Sequence, residues 1–231
     1  MKKFTLVELL IVIAIMGILL SLLLPSLKKA RAKAVSIVCL NNIDQHVTGL
    51  ILYSIDKDGR VPDRLQETDS GGWSNWALCS GVNEDASIPK FPTEKRQLNP
   101  YIDVDSQTSK GVNFCDSARG LWLYDIVGTS YQYNTFFGPG MGGTNNSYIT
   151  LGQEGKTTHL NMISNPAEFI DFSEVDAYNR VLSEASFSPH LNDRLFNIGF
   201  LDGHSTRINI DFQKMNSKNY TFIHENSSSY N

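Results

Sequence analysis

One stretch constrains this chain more than any other: residues 4–24, reading FTLVELLIVIAIMGILLSLLL, where only Gly17 and Ser21 interrupt the apolar run from Leu9 to Leu24. A helix through it measures about 31 Å at about 1.5 Å per residue. That is the thickness of a bilayer's hydrocarbon core, so residues 4–27 read as a transmembrane helix. Its odd member is Glu8, a carboxylate one turn inside the apolar run. Ionised, such a group costs up to about 3 kcal/mol at the bilayer centre and less near its edge. It therefore needs a partner.

The left flank supplies one. If a peptidase removed the basic leader Met1-Lys2-Lys3, the new amine on Phe4 would be a cation at the start of the helix. A helix cannot fold its own first residue back onto its fifth. The carboxylate of one copy would instead meet the amine of the next, pairing two charges that are each costly alone in a low dielectric. Charge would then set the stagger between copies.

Lys3-Phe4-Thr5-Leu6-Val7-Glu8-Leu9-Leu10, with the apolar run after it and Pro25 behind, resembles the class III signal of type IV pilins and type II secretion pseudopilins. The resemblance implies that prepilin peptidase cuts between Lys3 and Phe4 and methylates the Phe4 amine, that Glu8 is the assembly acid, and that Pro25 kinks the helix. Lys3 stands where the family usually has Gly. The implied partners are homologous subunits, the peptidase, the inner-membrane assembly machinery and membrane lipid. The implied address is the bacterial cytoplasmic membrane, N-terminus inside and the rest outside.

Two plainer readings compete. Ala30-Arg31-Ala32 is a small-x-small pattern such as ends a secretory signal peptide, but Lys28 and Lys29 precede it and Glu8 is unexpected there. A simple anchor with Glu8 near the headgroups is the other. Charge does not decide orientation: Lys2 and Lys3 face Lys28, Lys29, Arg31 and Lys33 across the span.

At 231 residues the chain holds the anchor plus one ordinary domain, here 57–231. Net charge is -4, but residues 1–33 carry +5 and the remainder -9. An acidic exterior argues against nucleic acid, whose phosphates call for basic surface. Cys39, Cys79 and Cys115 have no C-x-x-C spacing, which argues against zinc. A Cys39–Cys115 disulfide would pin helix to sheet, and two buried thiols are the other reading.

After Pro25 the pattern turns amphipathic. Leu27, Ala30, Ala34, Ile37, Leu40, Ile43, Val47, Leu50 and Ser54 recur at three- and four-residue steps, predicting a helical extension over 28–56. Asp56-Lys57-Asp58-Gly59 ends it, Gly59 suiting a left-handed cap or turn. Strands are expected at 112–115, 121–127, 130–137, 159–163 and 167–172, and a hairpin at 195–210 around Asp202-Gly203. The fold class is α+β, a long N-terminal helix packed on an antiparallel sheet.

A second resemblance covers the later part. Cys39-Leu40-Asn41-Asn42, Cys115-Asp116-Ser117, His190 and Asp202-Gly203 are similar to a pilin-like subfamily with a His, nine residues, then Asp-Gly. Here eleven residues separate His190 from Asp202.

The five histidines show no catalytic spacing, and an anchored hydrolase lacks any nucleophile–base motif. His190, Asp193, Asp202 and His204 are a cluster that the hairpin could gather. The resemblance raises calcium, for which Asp171, Glu174, Asp176, Asp193 and Asp202 offer oxygen. Against it, Asp202-Gly203 is a good hairpin turn. The remaining functional alternative is a membrane-tethered carbohydrate-binding module using Trp73, Trp76 and Trp122. The expectation is a non-catalytic structural subunit of a type IV pilus or type II secretion pseudopilus.

Overall fold

The structure, a computed structural model, describes residues 5–62, 96–102, 111–118, 129–134, 148–149, 159–174, 177, 188, 190, 194–211, 216–221 and 224–225. Its dominant element is α1, Leu6–Asp56, one unbroken 51-residue helix. Thr5 caps it, and a Schellman-type turn ends it, with Gly59 N–H donating to Ser54 O at 2.7 Å. The left-handed position just past the cap is taken by Asp58 (φ 55°), with Gly59 (φ 82°) following it. Gly59 is left-handed as the sequence leads one to expect, and the short Asp58 side chain tolerates the same backbone before it. Pro25 lies inside the helix, where its missing N–H leaves the Ser21 carbonyl without a helical donor.

Strands follow in the order β1 (Tyr131–Tyr133), β2 (Tyr148–Ile149), β3 (Ile170–Glu174), β4 (Leu195–Phe200), β5 (Ser205–Asn209), β6 (Asn216–Ser217), β7 (Tyr220–Thr221) and β8 (His224–Glu225). β1, β3, β4 and β5 form an antiparallel sheet in the order β1-β3-β4-β5, while β2 pairs with β8 and β6 with β7. The fold is α+β, the helix lying on a four-stranded antiparallel sheet.

Both faces of that sheet are covered. Phe196, Ile198 and Phe200 alternate along β4 into one core with Ile170, Ile210 and Tyr220. The opposite face, with Phe172, Tyr131 and Tyr133, meets Cys39, Ile43, Val47 and Leu50 of α1. A register shift between Ile170 and Phe172 sends these two neighbours to different cores. Gly199 lets helix and sheet close up: a Cβ there would collide with Val47 and stand 2.7 Å from Ile43 Cγ2.

The buried stripe of α1 differs from the expected one. Ser36, Cys39, Asn42, Ile43, His46, Val47, Gly49, Leu50 and Ser54 are buried, whereas Leu27 and Ile37 are 66% and 67% exposed. Ser36 and Asn42 turn inward to polar groups of the sheet, Asn197 Oδ1 and the Tyr131 hydroxyl, while His46 packs on the rings of Tyr131 and Phe172. Two expected strands are also absent as strands. Residues 112–115 form a turn and an irregular segment: Phe114 N–H donates to Gly111 O, Asn113 O accepts from Ser130 N–H, Asn42 Nδ2 donates to Phe114 O, and Cys115 N–H donates to Ser130 Oγ. Within 159–163, Leu160–Met162 is a 3-10 turn just before Asn165-Pro166. The hairpin at 195–210 is present, turning on Leu201, Asp202 and Gly203 (φ 102°).

Candidate functional site

Two places stand apart from ordinary packing. The first is the front of α1, the one helix among the described residues long and apolar enough to cross a membrane. None of its most apolar 18-residue window is buried, and residues 6–24 stand clear of the sheet. Glu8 is already engaged there. Its Oε2 accepts from the Thr5 N–H and from Thr5 Oγ1, both at 2.8 Å, and Glu8 N–H donates to Thr5 Oγ1 at 3.3 Å. This is a reciprocal capping box, a local role for the acid that the sequence reading did not weigh. Lys3 and Phe4 lie outside the described residues.

The second place is a polar cluster buried between α1 and the sheet. Along the helix-facing side, Tyr131, Glu174 and Asn197 fall side by side on β1, β3 and β4. Asn197 Nδ2 donates to Glu174 Oε1 at 2.6 Å and to the Ser36 carbonyl of α1 at 3.0 Å. His190 Nε2 lies 2.5 Å from Glu174 Oε1, with the pair 0% and 2% exposed. The same nitrogen is 3.7 Å from Cys115 Sγ, and the other, Nδ1, is 3.1 Å from Ser117 Oγ. Cys39 completes the group, its sulfur within 4.8 Å of both Cys115 Sγ and a His190 ring nitrogen.

Electrostatics give these groups definite states. Burial pushes the His190 ring down, but its contacts with Cys115 and Glu174 outweigh that and raise it to about 9. A hydrogen bond with Cys39 and burial push the Cys115 thiol well up, against the pull of His190. Ser117, His190 and Glu174 have the connectivity of a nucleophile–base–acid relay. Both ring nitrogens are engaged, Nε2 with Glu174 and Nδ1 with Ser117, and the buried His190–Glu174 contact ties β3 to the segment before β4.

Of the acids expected to hold calcium, Asp171, Glu174 and Asp202 are described, and the metal-ligating group found among the described residues includes none of them. Asp171 is fully buried, and neither of its carboxylate oxygens has a hydrogen-bond partner among the described residues. Burial alone drives it well above the carboxylate range. Asp202 sits in the hairpin turn, where it accepts from His204 N–H at 3.1 Å and approaches His204 Nδ1 at 2.5 Å. Asp176 and Asp193 lie outside the described residues, as do Trp73, Trp76 and Trp122. The expected grouping of His190 with Asp202 and His204 divides: His190 joins Glu174 and the cysteines, while His204 stacks on Phe200 at 4.4 Å. Cys39 and Cys115 are free thiols that the fold brings together, without the disulfide.

Sequence reasoning missed Asn197 and Ser36, and it treated Glu174 only as a calcium oxygen. The available signal was the Asn between Phe196 and Ile198, a polar residue in a run buried on both faces. No family model, characterised protein or solved structure matches the chain.

Proposed function

We propose that the chain is a structural subunit of a type IV pilus or type II secretion pseudopilus. Prepilin peptidase trims it at Lys3–Phe4, α1 holds it in the bacterial cytoplasmic membrane, and subunits join along the apolar half of that helix. One observation carries the reading: α1 is a single helix whose rear half contributes to the core of a folded domain while its apolar front half packs against nothing among the described residues. Bare apolar surface on that scale is covered either by lipid or by like helices. The acid at Glu8 and the Lys3-Phe4-Thr5-Leu6-Val7-Glu8 motif favour a device that moves from the first to the second. The α+β arrangement of helix on antiparallel sheet agrees with the pilin-like fold that the resemblance implies.

The test is the mature N-terminus, read by mass spectrometry of the full chain from membranes, together with crosslinking between copies through the helix. A methylated Phe4 terminus and helix-to-helix crosslinks are expected. A chain that keeps Met1 and crosslinks to no copy of itself rejects the reading and leaves a membrane-tethered binding module.

A further inference from the structure

Three donor side chains from distant parts of the chain meet in one enclosed place: Cys39 of α1, Cys115 of the loop before β1, and His190 between β3 and β4. Both thiols are 1% exposed and uncrosslinked. The absence of close sequence spacing, which argued against zinc, loses its force once the fold supplies the proximity. We propose that Cys39, Cys115 and His190 bind one zinc ion.

The donor set favours this metal. Two thiolates and an imidazole supply three of the four ligands of a tetrahedral zinc site. Zinc bonds of about 2.3 Å to sulfur and about 2.05 Å to nitrogen place two ligand atoms of a tetrahedron about 3.6 Å apart. Cys115 Sγ and His190 Nε2 are 3.7 Å apart.

The surroundings hold the ligands as metal sites require. Ser117 Oγ contacts Nδ1 and so turns Nε2 toward the sulfurs. Asn197 Nδ2 fixes the Glu174 carboxylate. The Tyr131 hydroxyl, in the same core as Cys39, accepts from Asn42 Nδ2 at 3.1 Å. Metal binding displaces the two thiol protons and the proton held between His190 Nε2 and Glu174. Ser117 also lines an open groove with Lys28, Arg31, Ala32, Val35 and Asp116, which brings solvent to within one side chain of the imidazole. The ion would fasten α1, through Cys39, to the loop before β1, through Cys115, and to the segment before β4, through His190.

The experiment uses the full chain in detergent, reduced, stripped with a chelator and titrated with Zn2+ alone. Bound metal is then counted by elemental mass spectrometry, and Co2+ substitution reports thiolate ligation by its charge-transfer absorption. One zinc per chain and a cobalt–thiolate band are expected. Cys39→Ser, Cys115→Ser and His190→Ala should each weaken binding at least tenfold. The wild-type titration stands even if a variant fails to fold. No stoichiometric zinc, zinc retained in full by a folded Cys115→Ser chain, or a Cys39–Cys115 disulfide in the protein isolated without reductant would each overturn the assignment.

Discussion

Asn197 on β4 donates to the Glu174 carboxylate at 2.6 Å, and the same amide nitrogen donates to the Ser36 carbonyl of α1 at 3.0 Å. One buried side chain thus ties two strands to the helix that leaves the domain. Hydrogen bonds to a charged group contribute about 1.5–3 kcal/mol. Asn197→Ala should therefore cost about 3 kcal/mol and lower the melting temperature of the detergent-solubilised chain by about 6–12 °C. A loss under 2 °C would mean that the amide holds nothing.

His46 gives the fold an acid limit. It is fully buried between Tyr131 and Phe172, at ring distances of 5.3 and 5.0 Å. Burial lowers its pKa to about 4 from 6.5, against a smaller opposing contribution from the Val112 backbone. The folded ring is neutral at pH 7, whereas an unfolded one takes up a proton below pH 6.5. No stability is lost to this group above that pH, and the loss grows as pH falls toward 4, reaching about 3 kcal/mol. His46→Phe should flatten the melting curve's dependence on pH between 6.5 and 4; an unchanged slope would refute the assignment.

Asp171 should work in the opposite sense. Its buried carboxyl lacks hydrogen-bond partners among the described residues, and burial raises its pKa well above 3.8. The unfolded chain releases this proton above about pH 3.8 while the folded chain retains it. Stability is thus lost as pH rises, by about 1.4 kcal/mol per unit until the folded pKa is reached. Asp171→Asn, close in shape and uncharged, is expected to raise the melting temperature at pH 7 and have little effect at pH 3.5. A lower melting temperature at pH 7 would point to a role for the ionised acid.

Gly199 fixes the approach of α1 to β4. A methyl at this position collides with Val47 and Ile43, both on the rigid helix. Gly199→Ala should cost about 1–3 kcal/mol. Gly199→Ala combined with Val47→Ala should recover part of that, and thermal melts of the three variants would measure the coupling.

Glu8 has two roles that substitution can separate. Glu8→Gln keeps an acceptor for the Thr5 N–H and hydroxyl but removes the charge, while Thr5→Ala keeps the charge and removes the cap's side chain. If charge pairing drives subunit joining, Glu8→Gln inserts into the membrane and fails to assemble, and Thr5→Ala assembles with a helix start weakened by about 1 kcal/mol. Assembly of Glu8→Gln at wild-type levels would leave the acid as a helix cap alone.

Much of this was legible in the residues because it rests on local rules. The apolar run of residues 4–24 declares a helix without an internal partner, and Phe196, Ile198 and Phe200 with Asp202-Gly203 declare a hairpin. The segments 112–115 and 159–163 misled because short apolar runs carry little periodicity. Their backbone bonds were decided by Asn42 and Ser130 in one case and by a 3-10 turn in the other.

The sequence by itself determined the rod, its membrane-length front and the acid near its start, since hydropathy and helical spacing act between near neighbours. Only the tertiary structure decided that Ser36, Cys39 and His46 face inward while Ile37 does not. It alone decided that Cys39, Cys115, Glu174, His190 and Asn197 share one buried site. Those contacts join residues as far as 161 positions apart. Which face of a helix is covered depends on what the distant sheet presents to it, and no local pattern carries that information.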